Sequence, residues 1–569
     1  MRGIQAMKRL RNIMTIFLFC FCIYCVHSIV FQSNRAYKSI RSPHRLTSFR
    51  LFFSSQPGSP SPPTTSVQSL DGEEIVSLAS TSESNLAQVQ SPKVSELIET
   101  TFQSILSSSG TEIGKDALLK SINEKGKVAL RNVQRPTNRD EAWKHNNVKT
   151  LFGSISLIKK SAKSTLTKSV DIEPHIDENC KGRCFVFVDG EYCPELSEVN
   201  GVSEDCVDFW HFSSSVDSGF NSGLPTGDFP EFLQDESKIT HIPDLDEIKR
   251  NSYASDALVA MNMAACEGFT VFRGKNGKKH EEPIQILNVA TSPSLVSPRL
   301  LIVMEKDSDI SLKHSFIGGS ENQGADQPNT VVNSNTRVLL EEGAKLQHTY
   351  MQDMSGSTRH MEVLSSECDT NADYSLNIIQ MGGVTSRFNA HMDLKQTESN
   401  CSISCVALST EKQSMDLHSS IIHDAENAIS RQQQRNVIGD RGEVIFKGRI
   451  RIPSHAQMTD SDQLCRTLLL GSRARIIAMP TLEITADNVV CSHGASVADM
   501  DENSMFYMLS RGINRSEARK LLLKGFVFEI LEDAILDNKA KDTIVAKLVS
   551  MNPESNTFAR DGPQAFTSL

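Results

Sequence analysis

The chain has 569 residues, room for roughly three or four domains, and its 39% hydrophobic and 22% charged residues are ordinary for a protein with a packed core. Residues 1–70 hold nine Lys/Arg and no acid, which leaves 50 basic against 69 acidic residues, a balance of −19, for residues 71–569. A body that acidic repels phosphate backbones, and a single long apolar run at the very start excludes a polytopic membrane protein.

That run, Ile13 to Val26, follows a basic start, is short for a bilayer span and has the length of a signal-peptide core. Residues 32–56 are rich in Ser and Arg and free of acids, the composition of an organelle transit peptide. Residues 1–28 are therefore expected to be a signal peptide, and 29–93 a transit peptide followed by a Ser/Pro/Thr/Gln-rich linker. Such a bipartite address describes import into a plastid bounded by extra membranes; the alternative is an N-terminal anchor with a basic juxtamembrane tail. Three of thirteen cysteines (Cys20, Cys22, Cys25) lie in the apolar run. The other ten show no small-domain disulfide framework and read as reduced thiols.

Residues 94–250 are expected to form a helical and mixed domain. Val94 to Leu106 carries apolar residues at helical spacing, and Trp143 follows the Arg135-Pro136 turn as a core or docking aromatic. Phe185 to Val188 reads as a strand entering an Asp189-Gly190 turn. Residues 206–240 read as a loop insertion. Cys180, Cys184, Cys193 and Cys206, with His211 nearby, hint at zinc, but their spacing lacks the two close pairs of a zinc knuckle.

A helix over Ala254–Cys266 precedes a change of texture. Between residues 251 and 500, short β-rich stretches recur among Gly, Asn, Asp and Ser: Arg299–Met304, Thr336–Leu340, Ala344–Tyr350, Tyr374–Ile379, Phe388–Leu394, Cys401–Leu408, Glu443–Gly448 and Ala474–Met479. Gly343, Asn371 and Asn400 mark a period of 28 and 29 residues. Many short strands on such a period favour a β-solenoid over a sandwich or barrel. Helices return in residues 501–569. Asp501 caps one carrying Met505, Phe506 and Leu509 and closed by Arg511-Gly512. Asn514 to Glu517 has capping-box spacing and opens another with Ala518, Leu521, Leu522 and Phe526 on one face. A helical cap over the solenoid end is the physically sensible use of these helices.

The string from Gly268 to Gly274-Lys275-Asn276 has five residues between its glycines where the phosphate cradle needs four, and ends in Asn where it needs Ser/Thr, so it is not a phosphate-binding loop. No HExxH, nucleophile elbow or dinucleotide fingerprint appears, which favours a scaffold over a self-sufficient enzyme. Cys491 and His493 lie two residues apart on an extended strand, where they project to one face. Thiolate and neutral imidazole suit iron, zinc or an iron–sulfur cluster, and two donors leave the shell to be completed by a partner or water. Taken alone, such a pair is also compatible with a structural role.

Here the chain resembles a known family. Cys491–Ser496, Met505–Ile513 and Glu517–Phe526 are similar to the C-terminal signature of the SufB/SufD family of iron–sulfur cluster assembly proteins. The resemblance continues through His418 and His423, Phe446–Ile450, Ala456–Asp460, Leu468–Leu470, Pro480–Ile484, Glu282–Gln285, Leu340–Ala344 and Asp140–Lys144. It covers about residues 130–550. SufB-like chains carry a scaffold cysteine where this one has Ser461, with Cys465 out of register, so the SufD branch is the better fit. The resemblance implies a mainly β protein with a right-handed parallel β-helix core flanked by helical regions.

It further implies a non-enzymatic subunit pairing with a SufB-like chain through the β-helices and with a SufC-like ATPase through the C-terminal helices. Phe506, Tyr507, Arg511, Leu522 and Phe526 are the docking candidates for that ATPase. An iron–sulfur cluster would be held transiently, shared with the SufB-like partner, and passed to client apoproteins. His493 is implied as a cluster ligand, with Cys491 beside it. No nucleotide or nucleic acid is expected to bind, and no membrane in the mature form. Rival readings are a SufB-like homodimeric scaffold, a β-helix carbohydrate-active enzyme, and an architectural subunit in which Cys491 and His493 are inert.

Overall fold

The computed structural model describes residues 117–145, 148–152, 172–213, 255–291, 295–318 and 330–551, with isolated positions at 103, 238 and 240–241. The expected signal and transit segments, the helix at 94–106 (apart from Gln103) and most of the 206–240 insertion lie outside these residues. What is described is mainly β, a parallel β-solenoid of about seven turns with helical segments before and after it.

Period-two alternation gives each coil two strands, one in each of two facing sheets. In the first sheet β5 (Ile284–Ala290), β8 (Asp309–Gly318), β10 (Lys345–Met354), β12 (Asp373–Gly382), β14 (Asn400–Ser409), β16 (Ile429–Ile438), β18 (Asp460–Leu469) and β20 (Val490–Ala498) follow one another in parallel. In the second, β4 (Gly268–Gly274), β7 (Arg299–Met304), β9 (Val331–Leu340), β11 (Arg359–Cys368), β13 (Thr385–Leu394), β15 (Ser414–His423), β17 (Glu443–Ile452) and β19 (Arg475–Ile484) do the same. The core lies between the sheets and includes an aromatic file in which Tyr350 sits 5.3 Å from Phe316 and 4.8 Å from Phe388.

One corner of the solenoid is a column of left-handed residues: Asp307, Gly343, Asn371, Glu398, Asn427 and Met458. The backbone N–H of each donates to the next coil, from Asp307 to Glu342 at 2.9 Å through to Met458 to Asn488 at 2.7 Å. Gly343 and Asn371 mark this corner as expected, but the third mark is Glu398 and not Asn400, which opens β14. A non-glycine residue tolerates φ near +61° here because the stacked hydrogen bonds hold it.

Ahead of the solenoid, β1 (Cys184–Val188) pairs with β5 and turns through Asp189-Gly190, both at positive φ, into β2 (Glu191–Tyr192). Val207–Ser213 is not loop: it forms β3, antiparallel to β4, with Val207 and Phe209 buried. The Ser/Gly/Asp composition downstream obscured that short alternation. α1 (Ala117–Asn132) crosses α3 (Ser255–Ala265) at Gly126, where a Cβ would lie 2.4 Å from the Ala264 nitrogen. With Trp143 and α2 (Val148–Phe152) they cover the outer face of β7, β9 and β11. Among the described residues no helix is long and apolar enough to cross a membrane.

The C-terminal helices α4 (Glu502–Ser510), α5 (Arg515–Phe528) and α6 (Asn538–Ser550) begin where the capping residues place them. Asp501 accepts from the Asn503 and Ser504 N–H groups, Asn514 from that of Glu517. Gly512 at φ +81° and Ile513 close α4 by donating to Leu509 and Met508. These helices do not cap the solenoid end. Leu523, Val527, Ile544 and Leu548 pack on Ile379, Met381, Val406, Leu408 and Val437, apolar side chains on the outer flank of the first sheet. That flank needs cover more than the end does, because its apolar area would otherwise face water. β19 and β20 are left as the terminal strands of their sheets.

Candidate metal-cluster site at the open coil

β20 is the last strand of the first sheet, and Cys491 and His493 project from it on the face that points into the solenoid. Cys491 is half-buried against the interior, and His493 is exposed because, among the described residues, no further coil covers it. Ser492, between them, points outward and donates to Asp462. Partial burial pushes the Cys491 thiol up, opposed by a backbone hydrogen bond from Ser461. A cation at this face would favour the thiolate, as metals do for any thiol they bind.

The layer beneath is polar and closed. The register places Ser461 under Cys491 and Gln463 under His493, with Ser430 and Gln432 one coil deeper. Two hydrogen-bonded files run inward. His423 Nε2 meets Ser430 Oγ at 2.9 Å, and Ser430 Oγ meets Ser461 Oγ at 2.7 Å. Gln463 Nε2 donates to Gln432 Oε1 at 2.7 Å, and Gln432 Nε2 to Ser419 Oγ at 2.7 Å. Gly448, on the facing β17, gives Gln463 its space, since a Cβ there would sit 2.2 Å from Gln463 Nε2.

The structure therefore brings Cys491 and His493 together and separates the other thiols from them. Cys465 pairs with Ala495 in register, is buried, and is pushed up to about 11 by that burial. Cys180, Cys184 and Cys193 are buried too, with Cys184 pushed up to about 12 by desolvation. Cys206 bonds the Lys279 carbonyl and His211 faces Thr270. Among the described residues no three His, Cys, Asp or Glu side chains converge to hold a metal ion. The zinc grouping thus has no counterpart among the described residues, and the Cys491–His493 pair brings two donor-type side chains to one face of β20.

Of the docking candidates, Phe506 and Tyr507 are 73% and 57% exposed on α4, with the Arg511 guanidinium 5.0 Å from the Tyr507 ring. Leu522 is partly covered. Phe526 is partly covered as well, packs with the α5–sheet cluster and lies under Arg435 at 4.9 Å. Leu521, expected inside, is exposed, because the buried face of α5 is Ala518, Leu523 and Val527. Gln463 and Ser430 were not singled out from the sequence. The signal that finds them is the same alternation, read about 30 residues upstream of Cys491 and His493.

A family model described as the SUF system iron–sulfur cluster assembly SufBD core domain matches residues 286–526. The chain is 26% identical over 435 residues to the iron–sulfur cluster assembly SufBD family protein slr0076 of Synechocystis, covering 74% of this chain and 88% of that protein. It is 26% identical over 429 residues to the Escherichia coli iron–sulfur cluster assembly protein SufD, covering 73% and 88%. Protein ABCI7, chloroplastic, of Arabidopsis thaliana is 29% identical over 331 residues, covering 55% and 68%.

Proposed function

Since the chain belongs to the SufB/SufD family of iron–sulfur cluster assembly proteins, we propose that it is a SufD-like, non-enzymatic subunit of a SufB–SufC–SufD complex in a plastid. The observation that carries this reading is the Cys491–His493 pair on an uncovered terminal coil. A site with two donors and an open side is half of a shared site. Among the described residues no strand pairs with the outer edges of β19 and β20, which suits extension of both sheets by a SufB-like chain. The cluster is the cargo: His493 would give an imidazole nitrogen and Cys491 a thiolate, and the SufB-like chain would bring the remaining donors.

Ser461 supports the SufD side of the family. A thiol at that position would stand directly under Cys491, and the hydroxyl there is a far weaker sulfur or metal acceptor. The exposed Phe506 and Tyr507 on α4 suit docking of a SufC-like ATPase, which would supply the nucleotide hydrolysis that this chain lacks a loop for. The acid-free N-terminal segment and the chloroplastic relative support the plastid location.

The test is the native mass, under anaerobic conditions, of residues 92–569 co-expressed with SufB- and SufC-like subunits from the same source. A defined complex with one copy of this chain, one SufB-like and two SufC-like subunits is expected. A chain that ignores both and self-associates overturns the reading.

A further inference from the structure

Gln463 stands in register beneath His493 and is fully buried. Its amide nitrogen is turned downward: Nε2 donates to Gln432 Oε1, which also accepts from Ser419 Oγ, while the Gln432 amide nitrogen donates back to that hydroxyl. With the nitrogen end committed to the interior, the oxygen end is left over. Gln463 Oε1 is buried and has no hydrogen-bond partner, an unusual state for a buried carbonyl. On the coil above, His493 has no hydrogen bond from either ring nitrogen among the described residues. A buried acceptor lacking a donor and a neighbouring ring lacking a partner are complementary.

We propose that Gln463 is the positioning residue of His493. Its Oε1 accepts a hydrogen bond from one ring N–H, which fixes the tautomer and turns the lone pair of the other nitrogen toward an incoming iron. Histidines that bind metals nearly always donate their second N–H to such a partner, which also raises their basicity. The contact forms as a partner closes over the open coil and presses the ring inward. The space for it is built, because Gly448 keeps the facing strand clear of the Gln463 side chain. The inference rests on the reading of His493 as an iron ligand.

The experiment uses the co-expressed complex, reconstituted anaerobically with ferrous iron and sulfide. Iron and sulfide retained per complex are measured, with the midpoint potential of the bound cluster. His493→Ala serves as the reference for the parent reading: if it retains iron and sulfide like the wild type, His493 is no ligand and that reading fails. Given loss in His493→Ala, Gln463→Leu is expected to assemble to the same native mass, weaken retention about tenfold and raise the midpoint potential. Gln463→Glu, which keeps an acceptor, is expected to restore retention and lower the potential. Should Leu prevent assembly, Gln463→Met, whose thioether is only a weak acceptor, provides the comparison at conserved length. Wild-type retention and potential in the acceptor-free variant overturn the inference, as does an equal loss in Gln463→Glu.

Discussion

The guanidinium carbon of Arg387 lies 3.9 Å from the centre of the Trp143 ring, joining the outer face of β13 to the segment that precedes α2. Arg387 also donates to the Ala142 carbonyl and to Asp416 Oδ2, each at 3.1 Å, and Asp416 meets His418 Nε2 at 2.9 Å. The Arg387, Asp416 and His418 side chains are fully buried. Arg387→Leu removes one partner of a buried ion pair and leaves Asp416 uncompensated, at a cost of about 3–5 kcal/mol. The urea midpoint should fall accordingly. Trp143 is one of two tryptophans, so native-state fluorescence should change with it. An unchanged spectrum would mean that the stacking is not maintained.

Acid should destabilise the protein well above the range of its carboxylates. His348 and His360 are pushed down to about 3, and His418 and His423 to about 4, in each case chiefly by burial. A histidine whose folded pKa lies below its unfolded value of 6.5 contributes stability that is present above pH 6.5 and is lost as pH falls toward its folded pKa. Each should forfeit about 2 kcal/mol at pH 5. Glu362, raised to about 7 by burial, acts in the opposite direction, losing its contribution as pH rises from 4.5 to 7. Four such histidines outweigh one carboxyl, so the urea midpoint should be lower at pH 5 than at pH 7. A flat profile would show that these rings are reached by water.

His493→Ala in the co-expressed complex should leave the native mass unchanged and reduce iron and sulfide per complex by at least about tenfold, since even outer partners of a metal site are worth that much. Cys491→Ser should have the smaller effect of the two, because the thiol is already partly withdrawn into the interior. Colorimetric iron and acid-labile sulfide on the gel-filtered complex measure both.

The double variant Phe506→Ser/Tyr507→Ser should fold with stability within about 0.5 kcal/mol of the parent, as expected for exposed positions. If α4 docks the ATPase subunit, its affinity should fall by roughly 2 kcal/mol, about thirtyfold. Titration of the purified ATPase into the isolated heterodimer reads this directly, and an unchanged affinity would move the docking surface elsewhere.

The helix boundaries after residue 500 were legible because capping is local: Asp501, Asn514 and Gly512 act on groups within a turn of themselves. Strands with apolar interiors, such as β7 and β14, were legible too. β11, β16 and β18 were not, since their inward positions include Glu362, Gln432, Gln434, Ser461 and Gln463. A stacked solenoid can bury such residues because the neighbouring coil offers a matching polar group at the same height, as Gln432 does for Gln463. That compensation is long-range and leaves no local signal. For the same reason the placement of Cys491 and His493 on one face of a strand could be read from their two-residue spacing, while the polar layer beneath them could not. The placement of α5 and α6 on a sheet flank depended on outward residues some 100 residues away in sequence, such as Val406 and Leu408.

The free edges of β19 and β20 bear on how the cell must make this protein. Each is nine or ten residues of backbone hydrogen-bonding groups, and Val490 and Val497 stand 72% and 51% exposed on the last coil. An edge of that length templates whatever strand reaches it first, including that of an identical copy. On the proposed pairing with a SufB-like chain, molecules made in excess of it would therefore find one another or a protease. The abundance of this chain should then track the supply of that SufB-like chain, with unassembled copies short-lived.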